Sequence, residues 1–87
     1  TRVMALELAS YNIQVNVIAP GPTETKPFSS DFYLNNPEIL SQIKKATPAG
    51  RIGHPEDHVG LALFLASNES DWITGQVISS DGGLGLT

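Results

Sequence analysis

The stretch NVIAPGPTET contains residue types that could hold a ligand. An apolar run stops at Pro20, Gly21 and Pro22, which fix the backbone sharply at one point. A hydroxyl, a carboxylate and a second hydroxyl follow, from Thr23 to Thr25. Such a stop is either an ordinary turn or a place where backbone donors and hydroxyls face a bound molecule. The rest of the chain decides between these interpretations.

Two other groups of residues could do chemistry. His54 and His58 stand four apart, a spacing that binds zinc when both lie on one helix face. Pro55 places His54 at or before a helix start and no third ligand is placed nearby, so two surface histidines are the simpler interpretation. Ser79, Ser80 and Asp81 with either histidine match a hydrolase triad by composition alone, since there is no Gly-x-Ser-x-Gly elbow. We therefore predict neither a metal site nor a hydrolase.

The elements that position these residues follow from apolar periodicity. Apolar positions at i, i+3 and i+4 predict an amphipathic helix that closes near Asn12, since Asn tolerates the left-handed conformation of a helix cap. Residues 13–19 alternate and then turn fully apolar, which predicts a strand of a parallel sheet covered by helices. Further helices are expected at 37–46 and 55–67, and a short strand at 76–79.

The helix expected at 55–67 is apolar on nearly every side. A surface helix of a monomer would show a polar face, so this helix should be buried by its own sheet and by a neighbouring subunit. Gly60 within it costs about 1 kcal/mol relative to Ala, which favours close packing at that point. The pattern predicts an oligomer.

The order of elements indicates an incomplete sheet. Two strands joined through helices imply a right-handed parallel crossover, yet two parallel strands alone are not a stable sheet. The first helix is already running at Val3 with no turn before it. We therefore expect an α/β fold whose missing strands come from a segment before Thr1.

Composition limits the classes of function. The chain has 87 residues, 40% of them hydrophobic, with a net charge of −4 and no cysteine. Without cysteine there are neither disulfides nor thiolate sites, which fits the reducing cytoplasm where we expect this protein. Nucleic acid is not an expected partner, because the five basic residues are scattered rather than clustered. A membrane is not expected either, because no apolar run approaches ~20 residues.

Four stretches, taken in order, resemble the C-terminal third of a short-chain dehydrogenase/reductase. They are LELA before IQVN, the Pro-Gly with Thr25 four residues past the glycine, GRIGHPED, and FLAS followed by ITGQ and DGG. Within that family the chain looks closest to the oxoacyl-carrier-protein reductase and glucose-dehydrogenase type. The resemblance implies that residues 1–87 form the C-terminal fragment of one dinucleotide-binding domain, part of a doubly wound parallel α/β sheet of the Rossmann type.

The resemblance also implies NAD or NADP as cofactor and a small carbonyl or alcohol compound as substrate. Backbone groups near Thr23 would hold the nicotinamide carboxamide, and the Thr25 hydroxyl would meet the carboxamide or the pyrophosphate. The implied cofactor-binding residues are Pro20, Gly21, Pro22, Thr23 and Thr25. Residues 26–47 correspond to a substrate lid, whose candidate pocket residues are Phe28, Phe32, Tyr33 and Leu34. For any single one of these four, packing of the lid onto the body is the simpler explanation.

Other matched residues have structural interpretations. Arg51, between two glycines, is expected to anchor the chain rather than to catalyse a reaction. The corner at Asp81, Gly82 and Gly83 permits a tight turn, and we expect it to be structural.

The catalytic pair of that family, a Tyr followed four residues later by a Lys, is not found in this sequence. Val15 stands at that spacing after Tyr11, and Pro37 after Tyr33. The resemblance therefore implies an enzyme whose catalytic pair lies before Thr1, and a homo-oligomer that by analogy is a tetramer. Two alternatives stay open: a non-catalytic relative acting as a binding or assembly module, and a stand-alone module of 87 residues.

The intact mass of the purified protein distinguishes these possibilities. We expect mass spectrometry to give roughly three times the 9.3 kDa of this chain, the size of a complete dinucleotide-binding domain. A mass of 9.3 kDa would instead mean that this molecule catalyses nothing by itself.

Overall fold

The computed structural model describes residues 1–25 and 35–87. Helix α1 spans Arg2–Leu8 and continues as a 3-10 turn over Ala9–Tyr11. Asn12 follows in the left-handed conformation, with φ of 57°. The predicted end of the first helix is confirmed, because a short polar side chain tolerates the conformation that stops the helix there.

Two strands form a parallel sheet. Strand β1 spans Val17–Pro20 and strand β2 spans Val77–Ser80. Val17 lies opposite Val77, and Pro20 lies opposite Ser80. The parallel arrangement predicted from the order of elements is confirmed, and it brings two segments about sixty residues apart in sequence to the same edge of the sheet.

Strand β1 is shorter than its predicted range of 13–19. Val15 forms hydrogen bonds with the corner before β2, at Thr74 and Gly75, and not with a strand. Its N–H donates to Thr74 Oγ1 at 3.0 Å, and its C=O accepts from Gly75 N–H at 2.8 Å. Gly75 has φ of +74°, a conformation that glycine adopts without steric cost. The segment that leads into β2 turns at this glycine, so the regular pairing of the two strands begins only at Val17.

The side-chain amide of Asn16 sets the register of the two strands. Its Nδ2 donates to Ile73 O at 3.0 Å, and its Oδ1 accepts from Gln76 N–H at 3.1 Å. Directly after it, Val17 N–H donates to Gln76 O at 2.8 Å. One half-buried amide therefore satisfies two backbone groups of the corner just before the ladder starts.

Two further helices connect the strands. Helix α2 spans Pro37–Ala46, and Thr47 follows it with its hydroxyl donating to Ile43 O at 2.7 Å. Helix α3 spans Glu56–Leu65, inside its predicted range of 55–67. None of the helices in the described ranges is both long enough and apolar enough to cross a membrane.

The described residues bury few large apolar side chains. Ala5 and Ile52 are the buried hydrophobic residues, whereas Leu6 on α1 is 80% exposed and Leu63 on α3 is 66% exposed. No described residue of this chain packs closely against Gly60, because a Cβ placed there would meet open space. Helices α1 and α3 thus each keep an uncovered apolar face.

Substituting Asn16 tests how the register is held. We expect Asn16→Ala to lower the free energy of unfolding by about 1–3 kcal/mol, because it removes two hydrogen bonds and leaves Ile73 O and Gln76 N–H without that partner. Urea unfolding followed by circular dichroism measures the change. Gln14→Ala is the control, since Gln14 Nε2 donates only weakly to Asn12, at 3.5 Å. Equal destabilisation by both variants would contradict this role of Asn16.

Candidate functional site

The carboxyl ends of the two strands meet at a cavity of about 210 Å³. Gly21 N–H donates to Ser80 O at 3.0 Å, just past the last paired residues. A Cβ on Gly21 would lie 2.8 Å from Cα of Asp81, closer than real Cβ contacts allow. Glycine at position 21 is therefore required by the approach of the two strand ends, whatever else the turn does.

Three of the five predicted cofactor-binding residues line this cavity, namely Gly21, Pro22 and Thr23. Pro20 is exposed at the end of β1, and Thr25 is exposed two residues beyond Thr23. Neither is among the lining residues. The predicted lid residues Phe28, Phe32, Tyr33 and Leu34 lie outside the described residues.

Thr23 is held by a parallel bridge to Gly53. Gly53 N–H donates to Pro22 O at 2.9 Å, and Glu24 N–H donates to Gly53 O at 2.9 Å. A trans peptide directs its N–H and its C=O to opposite sides, so the N–H and C=O of Thr23 itself point away from Gly53. Within residues 1–25 and 35–87 neither group has a backbone partner. Thr23 therefore presents one donor and one acceptor on the same side, the complement of a primary amide.

His58 joins helix α3 to the ends of both strands. The Thr23 hydroxyl donates to Gly21 O at 2.8 Å and lies 2.9 Å from Nε2 of His58. A hydroxyl has a single hydrogen, so Nε2 is the donor in the second contact. Nδ1 of the same ring lies 2.9 Å from Ser80 Oγ, and in a neutral ring it accepts from that hydroxyl. One imidazole thus ties together the chain after β1 and the last residue of β2.

The prediction of two surface histidines is wrong for His58. Its ring is half-buried and both nitrogens are hydrogen-bonded. His54 is exposed as predicted, with its Nδ1 3.7 Å from a carboxylate oxygen of Glu24. A lone polar ring near the start of an otherwise apolar helix was the signal for His58, but its partners are distant in sequence and could not be identified from the sequence.

The contact between Ser80 and His58 is not part of a hydrolase triad. The second ring nitrogen of His58 faces the Thr23 hydroxyl instead of a carboxylate. The Asp81 carboxylate accepts from Gly83 N–H and Gly85 N–H, both at 3.0 Å, which supports its structural interpretation. No three His, Cys, Asp or Glu side chains gather as metal ligands in the part of the chain that the structure describes.

Arg51 anchors the start of α3, as predicted. Its guanidinium donates to both carboxylate oxygens of Asp57, at 2.7 and 2.9 Å, and to Ile52 O at 3.0 Å. The same carboxylate accepts from His54 N–H at 2.7 Å. The hydrogen bonds from Arg51, and then the one from His54, hold the pKa of Asp57 well below its usual range, while the pKa of Arg51 is raised.

These features define a class of protein: an α/β fold with a cavity beyond the carboxyl ends of its parallel strands, where such sheets bind ligands. A family model described as enoyl-(acyl carrier protein) reductase matches residues 1–85. The chain belongs to the short-chain dehydrogenase/reductase family, as its sequence resemblance predicts.

Individual relatives are similar along nearly the whole chain. The 3-oxoacyl-(acyl-carrier-protein) reductase of Thermotoga maritima is 46% identical over 84 residues, and the 5-keto-D-gluconate 5-reductase of Escherichia coli is 40% identical over 84 residues. Each alignment covers 97% of this chain and 32% of the relative. A crystal structure of a gluconate 5-dehydrogenase from Burkholderia cenocepacia, in complex with NADP and tartrate, matches with a TM-score of 0.91 and 38% identity, over 100% of this chain and 33% of that one. The chain spans about a third of the length of the curated relatives it matches.

The ion pair of Arg51 and Asp57 makes stability depend on pH. Because the pKa of Asp57 is lowered on folding, its ionised form stabilises the fold above the pKa of an unfolded aspartate, about 3.9, and this contribution is lost as the pH falls below that value. We expect Asp57→Asn to melt at a lower temperature than wild type at pH 7, with a gap that narrows below about pH 4. Thermal melts across this range measure it, with Glu56→Gln as the control in the same helical turn. A gap that stays constant down to pH 3 would contradict the assignment.

Proposed function

We propose that this chain is the C-terminal part of a cytoplasmic NAD(P)-dependent oxidoreductase that interconverts an alcohol and a carbonyl compound. The observation that carries the proposal is the outward N–H and C=O pair of Thr23, beside a cavity at the carboxyl edge of a parallel sheet. Relatives support it, since they include a 3-oxoacyl-(acyl-carrier-protein) reductase and a gluconate 5-dehydrogenase that binds NADP. The catalytic acid of the complete protein comes from outside these 87 residues.

The residues at this edge fit the nicotinamide end of the cofactor. A carboxamide has an NH₂ donor and a C=O acceptor, which match the C=O and N–H of Thr23. The bound nicotinamide exchanges a hydride with the substrate carbon. The contribution of this chain is orientation: Gly53 donates one hydrogen bond to Pro22 O and accepts one from Glu24 N–H, which fixes the peptides on both sides of Thr23 and holds the ring without reorganisation at the moment of reaction.

The Thr25 hydroxyl makes a second contact with the cofactor. It lies two residues beyond Thr23 on an exposed part of the same segment, and its proposed partner is the carboxamide or the pyrophosphate. Its role is to fix the ring against rotation, together with the backbone of Thr23.

Residues 26–47 correspond to the substrate lid of the family, and its candidate pocket residues, Phe28, Phe32, Tyr33 and Leu34, lie outside the described residues. Helix α2 is the described part of this lid, and Leu40 and Ile43 on it are half-buried. Thr47, at its end, is 4% exposed and lines the cavity, which supports a connection between lid and site. Closure of the lid excludes water from the hydride transfer.

The apolar face of α3 is the subunit interface of a homo-oligomer, by analogy a tetramer. Val59 and Leu63 are 51% and 66% exposed and stand one helical turn apart, so they form a continuous surface. Gly60 beside them leaves open space that a partner helix can approach closely.

Cofactor binding by the complete protein tests the proposal. We expect isothermal titration to detect NADPH or NADH, and Thr25→Val to weaken binding by about tenfold, the effect of losing one hydrogen bond of roughly 1.4 kcal/mol. Thr25→Ser keeps the hydroxyl and should bind within about threefold of wild type. Ser10→Ala, at an exposed position in the 3-10 turn after α1, is the control for the loss of a hydroxyl.

Absence of binding to both nucleotides would overturn the proposal and favour a non-catalytic relative that acts in binding or assembly. Binding that is equally strong in Thr25→Val and in wild type would remove Thr25 from the site while leaving the Thr23 contact in place.

A further inference from the structure

We infer that His58 is a positioning residue for the nicotinamide contact at Thr23, and this inference rests on the proposed function. His58 acts through the Thr23 side chain: its Nε2–H donates to the hydroxyl that in turn donates to Gly21 O. Its other nitrogen lies against Ser80 Oγ, so the ring itself is held from both ends.

The need for such a residue follows from how Thr23 is anchored. The bridge to Gly53 holds the two peptides flanking Thr23 but does not touch its side chain. A threonine side chain has more than one accessible rotamer, and the one in this structure places the hydroxyl 2.8 Å from Gly21 O. The Nε2–H of His58 selects that rotamer, because it needs the Thr23 oxygen at 2.9 Å with the hydroxyl hydrogen pointing elsewhere.

The first turn of α3 is a rigid base for this ring. Asp57, the residue before His58, is bonded twice to Arg51 and once to His54 N–H. The ring therefore extends from an anchored helix start. Through its hydrogen bond with Thr23 it fixes the segment after β1 relative to α3. A side chain without polar atoms at position 58 would pack in the same space but leave the Thr23 rotamer free.

Two amide substitutions separate the two ends of the ring. The amide nitrogen of a glutamine can take the place of Nε2 and keep the bond to Thr23. An asparagine side chain is one carbon shorter, so its amide nitrogen takes the place of Nδ1 and keeps only the contact with Ser80. If His58 acts through Thr23, glutamine rescues the function and asparagine does not.

The experiment measures cofactor affinity and melting temperature of the complete protein, with NADPH and NADH as probes. We expect the cofactor Kd to rise about tenfold in His58→Asn and His58→Leu, and to stay within about threefold of wild type in His58→Gln. Thr23→Val should raise Kd as His58→Asn does, and the double variant should be no weaker than either single variant, because both break one bond. His54→Asn, four residues earlier and exposed, is the matched control and should bind like wild type.

A second readout does not depend on the cofactor. Nitrogen-15 spectra of the His58 ring should show the hydrogen on Nε2 in wild type, and the Nε2 resonance should shift in Thr23→Val. A purely structural role predicts instead that all His58 variants lose melting temperature alike and that Kd follows the loss.

The outcomes separate the two proposals. Wild type that binds cofactor, with His58→Asn and His58→Gln binding equally well, overturns the positioning role and leaves the proposed function intact. Wild type that binds neither nucleotide overturns the proposed function and, with it, the role of His58 toward nicotinamide. A His58 ring that carries its hydrogen on Nδ1 overturns the link to Thr23, whether or not the wild type binds cofactor.

Discussion

At the carboxyl edge of the sheet the backbone of Gly21 approaches Asp81 so closely that a Cβ on Gly21 would lie 2.8 Å from the Asp81 Cα. This approach follows from the parallel register that places Pro20 opposite Ser80, and from the bond between Gly21 N–H and Ser80 O. The segments after both strands are thereby forced into contact, and residues of both segments line the cavity. In the sequence this turn was either an ordinary turn or a ligand contact; in the structure packing requires its glycine, and its residues line the cavity.

The polar interior of the site is a connected set of hydrogen bonds. The Gly53 bridge, the Thr23 hydroxyl and the His58 ring tie the segment after β1 to the loop before α3, to α3 itself and to β2. Every described buried side-chain nitrogen or oxygen has a partner. A network in which every group is paired favours one arrangement of its side chains. If one side chain moves, its partner loses a hydrogen bond, and the free-energy cost is comparable to the desolvation of that partner.

Helices α1 and α3 each expose an apolar face in this structure. Leu6 and Leu63 are far more exposed than such residues are in a buried core, and the described buried apolar residues are Ala5 and Ile52. Burying a leucine contributes about 1.5–3 kcal/mol, so these faces have a strong tendency to be covered. The relatives that align with nearly the whole chain are about three times its length, which agrees with the proposal that further protein covers these faces.

The local sequence by itself determined the kinds of elements and their order. Periodicity located three helices, Asn12 ended the first, and a β-branched run followed by Pro20 placed a strand end, because these signals act within a few residues. The order of motifs likewise predicted the family. Only the tertiary structure decided that β1 starts at Val17, because Thr74 and Gly75 take the bonds of Val15. It also decided that His58 lies between Thr23 and Ser80, 35 and 22 residues away, since contacts over such separations depend on packing and register that no local pattern encodes.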